Sequence, residues 1–120
     1  MKEVFLNGLE LAHAIVGILE EKKGEDILLL DIHEAAVFTD YFVIATGTSD
    51  RMLDALAKAV SDDLRKTHRL KTKIPEGQAR DGWLLIDYGD VIVHLFSPDQ
   101  RAYYGLENLW SEGKVLIRLQ

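Results

Sequence analysis

Residues 82–96 read GWLLIDYGDVIVHLF, two apolar runs joined by Tyr88-Gly89-Asp90. A two-residue Gly89-Asp90 loop fits a type II′ hairpin turn, because glycine supplies the positive φ needed at its first central position. That loop sets the register, pairing Tyr88 with Val91 and Ile86 with Val93. Leu84, Ile86, Tyr88, Val91, Val93 and Leu95 then share one face, which reads as core. Trp83, Leu85, Asp87, Ile92, His94 and Phe96 share the other. A sheet with one face in water would be polar there. Much of this second face must therefore be covered, either by a helix of the chain itself or by a partner protein.

The flanking sequence supplies helices for such a sheet. From Leu6 to Lys23 the apolar residues Leu9, Ala12, Val16 and Leu19 recur at helical spacing, and Leu11, Ile15 and Ile18 widen the stripe. Asn7 and Glu10 form a capping-box pattern at the start, and Lys22, Lys23 and Gly24 suit a left-handed exit. ILLLDI (27–32) and YFVIAT (41–46) read as buried strands, joined by HEAAVFTD, whose shape the sequence leaves open. Ser49 or Thr48 caps a helix through about Thr67, with Leu53, Leu56, Val60 and Leu64 facing inward. A short strand near 70–74 precedes a loop with Pro75, Gly77 and Gly82. Ser97-Pro98 starts a helix expected to reach about Trp110, with Gln100 completing a capping box. VLIRL (115–119) is either a final strand or a docked tail. This order predicts one α/β domain over residues 1–120, a mixed β-sheet sandwich covered by helices.

A chain of 120 residues, 48% apolar and 28% charged, suits one folded domain rather than a disordered segment. It has no cysteine, which excludes disulfides, thiolate metal sites and cysteine nucleophiles, and suits a reducing cytoplasm. The amino terminus has neither a secretory nor a transit-peptide pattern, and no run approaches 18 uninterrupted apolar residues, so no membrane partner is expected. The net charge of -6 argues against wholesale nucleic-acid binding. RKTHRLKTK (65–73) is the local exception. Its cations fit a solvated helix end, and Arg65 through Lys73 could also contact an acidic partner or an RNA backbone.

The polar residues of the ribbon raise the question of chemistry. Asp87 and His94 share a face diagonally, so a hydrogen bond between them is feasible. Zinc takes three or four protein ligands, and no third histidine or cysteine stands at a helpful spacing. Asp31 and His33 could reach one ion together but supply only two ligands. Asp87 and Asp90 do not converge, one on a strand face and the other at the turn tip, so Mg²⁺-dependent phosphoryl transfer lacks its carboxylates. Gly47-Thr48-Ser49 lacks the spaced glycines and lysine of a Walker loop, although the helix start could hold an anion weakly. No metal and no cofactor are expected.

Two longer stretches, TDYFVIATGTSDRMLDALA (39–57) and GWLLIDYGDVIVHLFSPDQRAYYGLENLW (82–110), resemble the ribosomal silencing factor family, also called Iojap-related. The resemblance extends over about residues 5–112, leaving 113–120 as a carboxyl-terminal tail. It implies a nucleotidyltransferase-like fold without the catalytic carboxylates. It also implies a non-enzymatic protein that binds the large ribosomal subunit through large-subunit ribosomal protein fourteen, blocks small-subunit joining and lowers translation when nutrients are scarce. Homodimers are implied as well. Carried onto matching positions, the partner contact falls on Trp83, Asp87, Tyr88, Asp90 and His94, and then on Arg101 and Tyr104. The alternative is a nucleotide-binding or nucleotidyltransferase enzyme of the same fold, and a third reading gives the apolar face to a homodimer alone.

Overall fold

The computed structural model describes residues 6–109 and 113–120. Helix α1 spans Gly8–Glu21. Its capping box forms as the sequence predicts: the Asn7 side chain accepts the Glu10 amide at 2.8 Å, and the Glu10 carboxylate accepts the Asn7 amide at 3.2 Å. The buried residues Leu11, Ala12, Ile15, Val16, Ile18 and Leu19 form one arc, whereas Leu9, expected in the stripe, lies at its margin and is exposed. The exit also differs from expectation. Lys23, not Gly24, takes the left-handed conformation at φ 67°. The Gly24 and Lys23 amides then bond to the Leu19 and Glu20 carbonyls at 2.8 and 3.0 Å, the Schellman closure of a helix end. Gly24 serves close approach instead, since a Cβ there would sit 3.2 Å from the Leu19 carbonyl oxygen.

Strands β1 (Glu25–Asp31) and β2 (Tyr41–Thr46) are antiparallel neighbours. Helix α2, Asp50–His68, follows, with the Ser49 hydroxyl accepting the Met52 amide at 3.1 Å and Leu53, Leu56, Ala57, Val60 and Leu64 buried. Arg69 ends it at φ 58°, and Arg65 and Lys66 lie in its last turn, where cations suit the negative end of the helix dipole.

The expected strand at 70–74 does not form. That segment is tied to α2 instead, the Leu70 amide donating to the Leu64 carbonyl at 3.3 Å and the Lys73 amide to the Ser61 hydroxyl at 3.1 Å. Strand β3 is Glu76–Gln78, paired with β4 (Trp83–Asp87) through a short 3₁₀ turn at Ala79–Asp81. Gly82 closes that turn at φ 78°, and a Cβ on it would lie 2.5 Å from the Ser97 hydroxyl oxygen. Only glycine meets both demands.

Strand β5 is Val91–Phe96, and α3 is Pro98–Tyr104, its first turn capped by Ser97. Gly105 at φ 54° breaks the helix expected to run on to Trp110, and α4 resumes at Leu106–Leu109. The anticipated end at Trp110 lies outside the described residues. Strand β6, Lys114–Leu119, pairs antiparallel with β1, so of the two readings of this segment, final strand or docked tail, it is the strand that forms.

The six strands form one mixed sheet in the order β3-β4-β5-β2-β1-β6, parallel between β2 and β5 and antiparallel in the other pairings. Helices α1 and α2 cover one face, burying Ile27, Leu29, Val43, Ala45, Leu84, Ile86, Val91, Val93 and Leu95. Each fully buried aliphatic side chain contributes roughly 1.5–3 kcal/mol. The second face carries Leu28, Leu30, Ile32, Phe42, Ile44, Ile92 and Phe96, with Leu106 of α4 packed against them. No helix of comparable length crosses it among the described residues. Helix cover is thus concentrated on one side.

Candidate interaction face

The hairpin adopts the register read from the sequence. Trp83 pairs with Phe96, Leu85 with His94, Ile86 with Val93 and Asp87 with Ile92, and the Tyr88 amide donates to the Val91 carbonyl at 2.9 Å. Gly89 has φ 88°. The turn is fastened from within and from outside: Asp87 Oδ1 accepts the Gly89 amide at 2.8 Å, and the Asp90 carbonyl accepts the Asp40 and Tyr41 amides at 3.1 and 3.0 Å. The feasible Asp87–His94 hydrogen bond does not form, because the Asp87 carboxylate bends to its own turn and His94 meets Trp83 instead.

An aromatic cluster is built on the second face. The Trp83 ring stacks on Phe96 at 5.2 Å between centroids and meets Tyr104 of α3 at 4.5 Å. Its Nε1–H donates to His94 Nδ1 at 3.2 Å. His94 lies parallel to Phe96 at 5.9 Å and edge-to-face with Phe42 at 4.6 Å, and Phe42 continues the cluster to Phe38 at 6.1 Å. Phe42, His94 and Phe96 are buried, Trp83 and Leu85 are half-buried, and Phe38, Tyr103 and Tyr104 are exposed. The result is a rigid aromatic floor opening to an apolar surface, with Val37 beside Phe38 fully exposed. The carboxylates of Asp87 and Asp90 lie exposed at the hairpin end.

Electrostatically the face is neutral at its centre and acidic at one rim. Burial pushes the His94 imidazole down to about 4, so the ring is uncharged near neutral pH. Indole is only a donor, which assigns the His94 proton to Nε2 and leaves Nδ1 as the acceptor. Nε2 is buried and has no hydrogen-bond partner among the described residues. On the connection after β1, His33 Nδ1 pairs with Asp31 Oδ1, so the two residues considered as joint ligands bond to each other. Among the described residues no three His, Cys, Asp or Glu side chains are grouped to hold a metal ion. At the start of α2 the Thr48 amide is directed to Met52 Sδ at 3.2 Å and Ser49 caps the helix, so the chain itself occupies much of that donor set.

The residues singled out in the sequence are not brought to one surface. Trp83, Asp87, His94 and Tyr104 belong to the second face, and Asp90 stands at the hairpin tip. Tyr88 lies on the opposite side, half-buried against the core that α1 and α2 cover, where burial pushes its hydroxyl up to about 12 against an opposing effect from Ser61. Arg101 points inward. Its guanidinium Nη1 donates to the Thr46 hydroxyl at 2.9 Å and to the Asp26 carbonyl, and Nε lies 3.4 Å from Glu107. It is therefore a tie between α3, β2 and the start of β1. Sequence reading missed Phe38 and Val37, which the open connection 33–40 brings to the edge of the face; a Val-Phe pair in a short connection between two strands was the available signal.

Three comparisons bear on this arrangement. Residues 7–119 match the family described as "Ribosomal silencing factor during starvation". A Bacillus subtilis protein named "Ribosomal silencing factor RsfS" is 40% identical over 96 residues, 80% of each chain, and a namesake from Halalkalibacterium halodurans is 34% identical over 111 residues, covering 92% of this chain and 94% of its own. A crystal structure of a Chromobacterium violaceum protein superposes with a TM-score of 0.80 at 34% identity, over 88% of both chains.

Proposed function

This chain belongs to the ribosomal silencing factor family, and on that premise we propose that it is a non-enzymatic translational repressor acting on the large ribosomal subunit. In this reading it docks through large-subunit ribosomal protein fourteen, occludes the small subunit and lowers translation under nutrient limitation. The supporting observation is the second sheet face, where half-buried Trp83 and Leu85 and exposed Tyr104 and Phe38 form an apolar patch beside Asp87 and Asp90. Aromatic anchors on a rigid floor with a charged rim are the usual make-up of a binding centre. Ribosomal proteins are mostly basic, and a net charge of -6 favours encounter with them. A stable complex needs roughly 800 Å² from each partner, an area that the hairpin, α3 and the 33–40 connection together are suited to supply.

Trp83, Asp87, Asp90 and Tyr104 are proposed to touch the partner. Arg101, His94 and Tyr88 support the surface from beneath or behind it. We place the protein in the cytoplasm as one domain of nucleotidyltransferase-like architecture, with homodimerisation in solution. The cations between Arg65 and Lys73 lie on and after the last turn of α2 and are suited to an incidental ribosomal RNA contact. Nucleotidyl transfer is the weaker reading, because Asp87 is committed to the Gly89 amide and Asp90 stands apart at the tip. Co-sedimentation with purified bacterial large subunits tests the proposal. Absence of binding at micromolar concentration, or undiminished subunit joining with the protein in excess, overturns it.

A further inference from the structure

His94 stands in the middle of the proposed contact face yet offers it almost no surface, with 4% of the residue accessible. Phe42 and Phe96 lie against it and Trp83 covers it from β4. A side chain this deep has little of its own to give a partner, but it can set the group that does. The Trp83 indole is held by three neighbours, two of which, Phe96 stacked and Tyr104 tilted against it, make ring contacts without a hydrogen bond to it. Ring contacts tolerate sliding and do not distinguish one edge of the indole from the other. The Nε1–H to Nδ1 bond does distinguish them.

The local chemistry shows what histidine gives up to make this bond. Accepting on Nδ1 places the proton on Nε2, and that buried donor has no acceptor among the described residues. A buried donor without a partner is unfavourable, and an aliphatic or phenyl side chain on β5 would avoid it. A residue that disfavours its own site while orienting a half-buried aromatic at the surface points to a role in presentation rather than stability.

We propose that His94 is a positioning residue for partner binding, fixing the Trp83 indole in the orientation presented to the large subunit by accepting its Nε1–H, without itself touching the partner. The inference rests on the functional reading above. Its benefit is preorganisation: a side chain already held in the bound orientation loses less freedom on association. Because burial keeps the ring neutral, the acceptor persists at the pH of a cell.

The test combines binding to purified bacterial large subunits with the indole N–H resonance of Trp83 in the free chain, assigned by its loss in Trp83→Phe. His94→Phe keeps a flat ring and removes the acceptor. It is expected to bind about tenfold more weakly and to expose the indole proton to rapid exchange. Asparagine carries an acceptor near the position of Nδ1, whereas glutamine places its amide one bond further out. His94→Asn is therefore expected to retain slow indole exchange and most of the affinity, and His94→Gln to lose both. Should His94→Phe fail to fold, the asparagine and glutamine pair decides, and equal binding by the two overturns the inference. Binding of folded His94→Phe within threefold of wild type also overturns it, leaving the functional reading intact. Failure of the wild-type chain to bind overturns both.

Discussion

Arg101 Nη1 donates to the Thr46 hydroxyl at 2.9 Å, joining two residues 55 apart in the chain. The same guanidinium reaches the Asp26 carbonyl and lies beside Glu107, so one side chain holds α3 to the end of β2 and the start of β1. Arg101→Met leaves a buried hydroxyl, a carbonyl and a carboxylate without their cation. Unfolding free energy should fall by about 2–4 kcal/mol, read from urea denaturation. Arg101→Lys should recover only part, because an ammonium cannot span the planar fork that these acceptors require.

Trp83→Ala and Tyr104→Ala each remove an anchor from the second face. Large-subunit binding should weaken by roughly 1–3 kcal/mol in each, while far-ultraviolet circular dichroism stays that of the wild type. Tyr88→Ala should do the reverse. Its half-buried ring packs against the core that the long helices cover, so denaturation should report a loss of about 1–3 kcal/mol, with subunit affinity retained once the variant is folded. An equal binding defect in Tyr88→Ala and Trp83→Ala would contradict the division of the hairpin into a core face and a contact face.

His94 predicts a pH dependence of stability. Its folded value is pushed down to about 4 from an ordinary 6.5, so the unfolded chain binds the proton more readily across that interval. The contribution is full above pH 6.5 and is lost as pH falls from there towards 4, amounting to about 3 kcal/mol at most. His33 has the opposite sign. Its hydrogen bond and attraction to Asp31 raise it, giving an exposed contribution present below 6.5 and lost as pH rises through the folded value. For Asp31, burial acts upwards, but the bonds to His33 outweigh it and lower the value below 3.8. That stability is present above 3.8 and is lost as pH falls further, beneath the His94 window. Denaturation at pH 7 and pH 5 should show a decline in wild type that is largely absent from His94→Phe; parallel declines would rule out His94 as the source.

Gly82 and Gly89 both have positive φ but different surroundings. A Cβ at Gly82 would lie 2.5 Å from the Ser97 hydroxyl oxygen and 2.7 Å from Gln100 Cγ, whereas nothing lies within 4 Å of one at Gly89. Gly89→Ala should carry only the left-handed strain of roughly 1–2 kcal/mol. Gly82→Ala adds a steric displacement of the α3 cap, and thermal denaturation should place its midpoint well below that of Gly89→Ala. Equal midpoints would mean that the Ser97 side chain moves aside freely.

The local elements and the register of the ribbon were legible in the sequence because they depend on short-range chemistry. Asn7 with Glu10 and Ser49 before a helical stripe cap their helices through bonds three residues apart. Gly89-Asp90 fixed which side chains of residues 83–96 share a face, since strand side chains alternate and a two-residue loop leaves no freedom of register. The same patterns misplaced what depends on distant neighbours. Residues 70–74 look like a strand but are held by Leu64 and Ser61 of α2, and Gly105 ends a helix whose apolar pattern continues past it. Family resemblance grouped Tyr88, His94 and Arg101 with Trp83 as contacts, because proximity along a motif carries no information about depth. Strand alternation had already set Tyr88 on the core face, against that grouping, and the structure keeps it there. Only the tertiary structure separated the other two: Arg101 is consumed by acceptors from Thr46 and Asp26, and His94 lies beneath the indole that it orients. Alternation along a strand is a property of the backbone and can be counted in the sequence. Which side of a sheet the long helices occupy, and which polar atoms their packing brings within bonding distance, is decided only when the whole chain closes on its core.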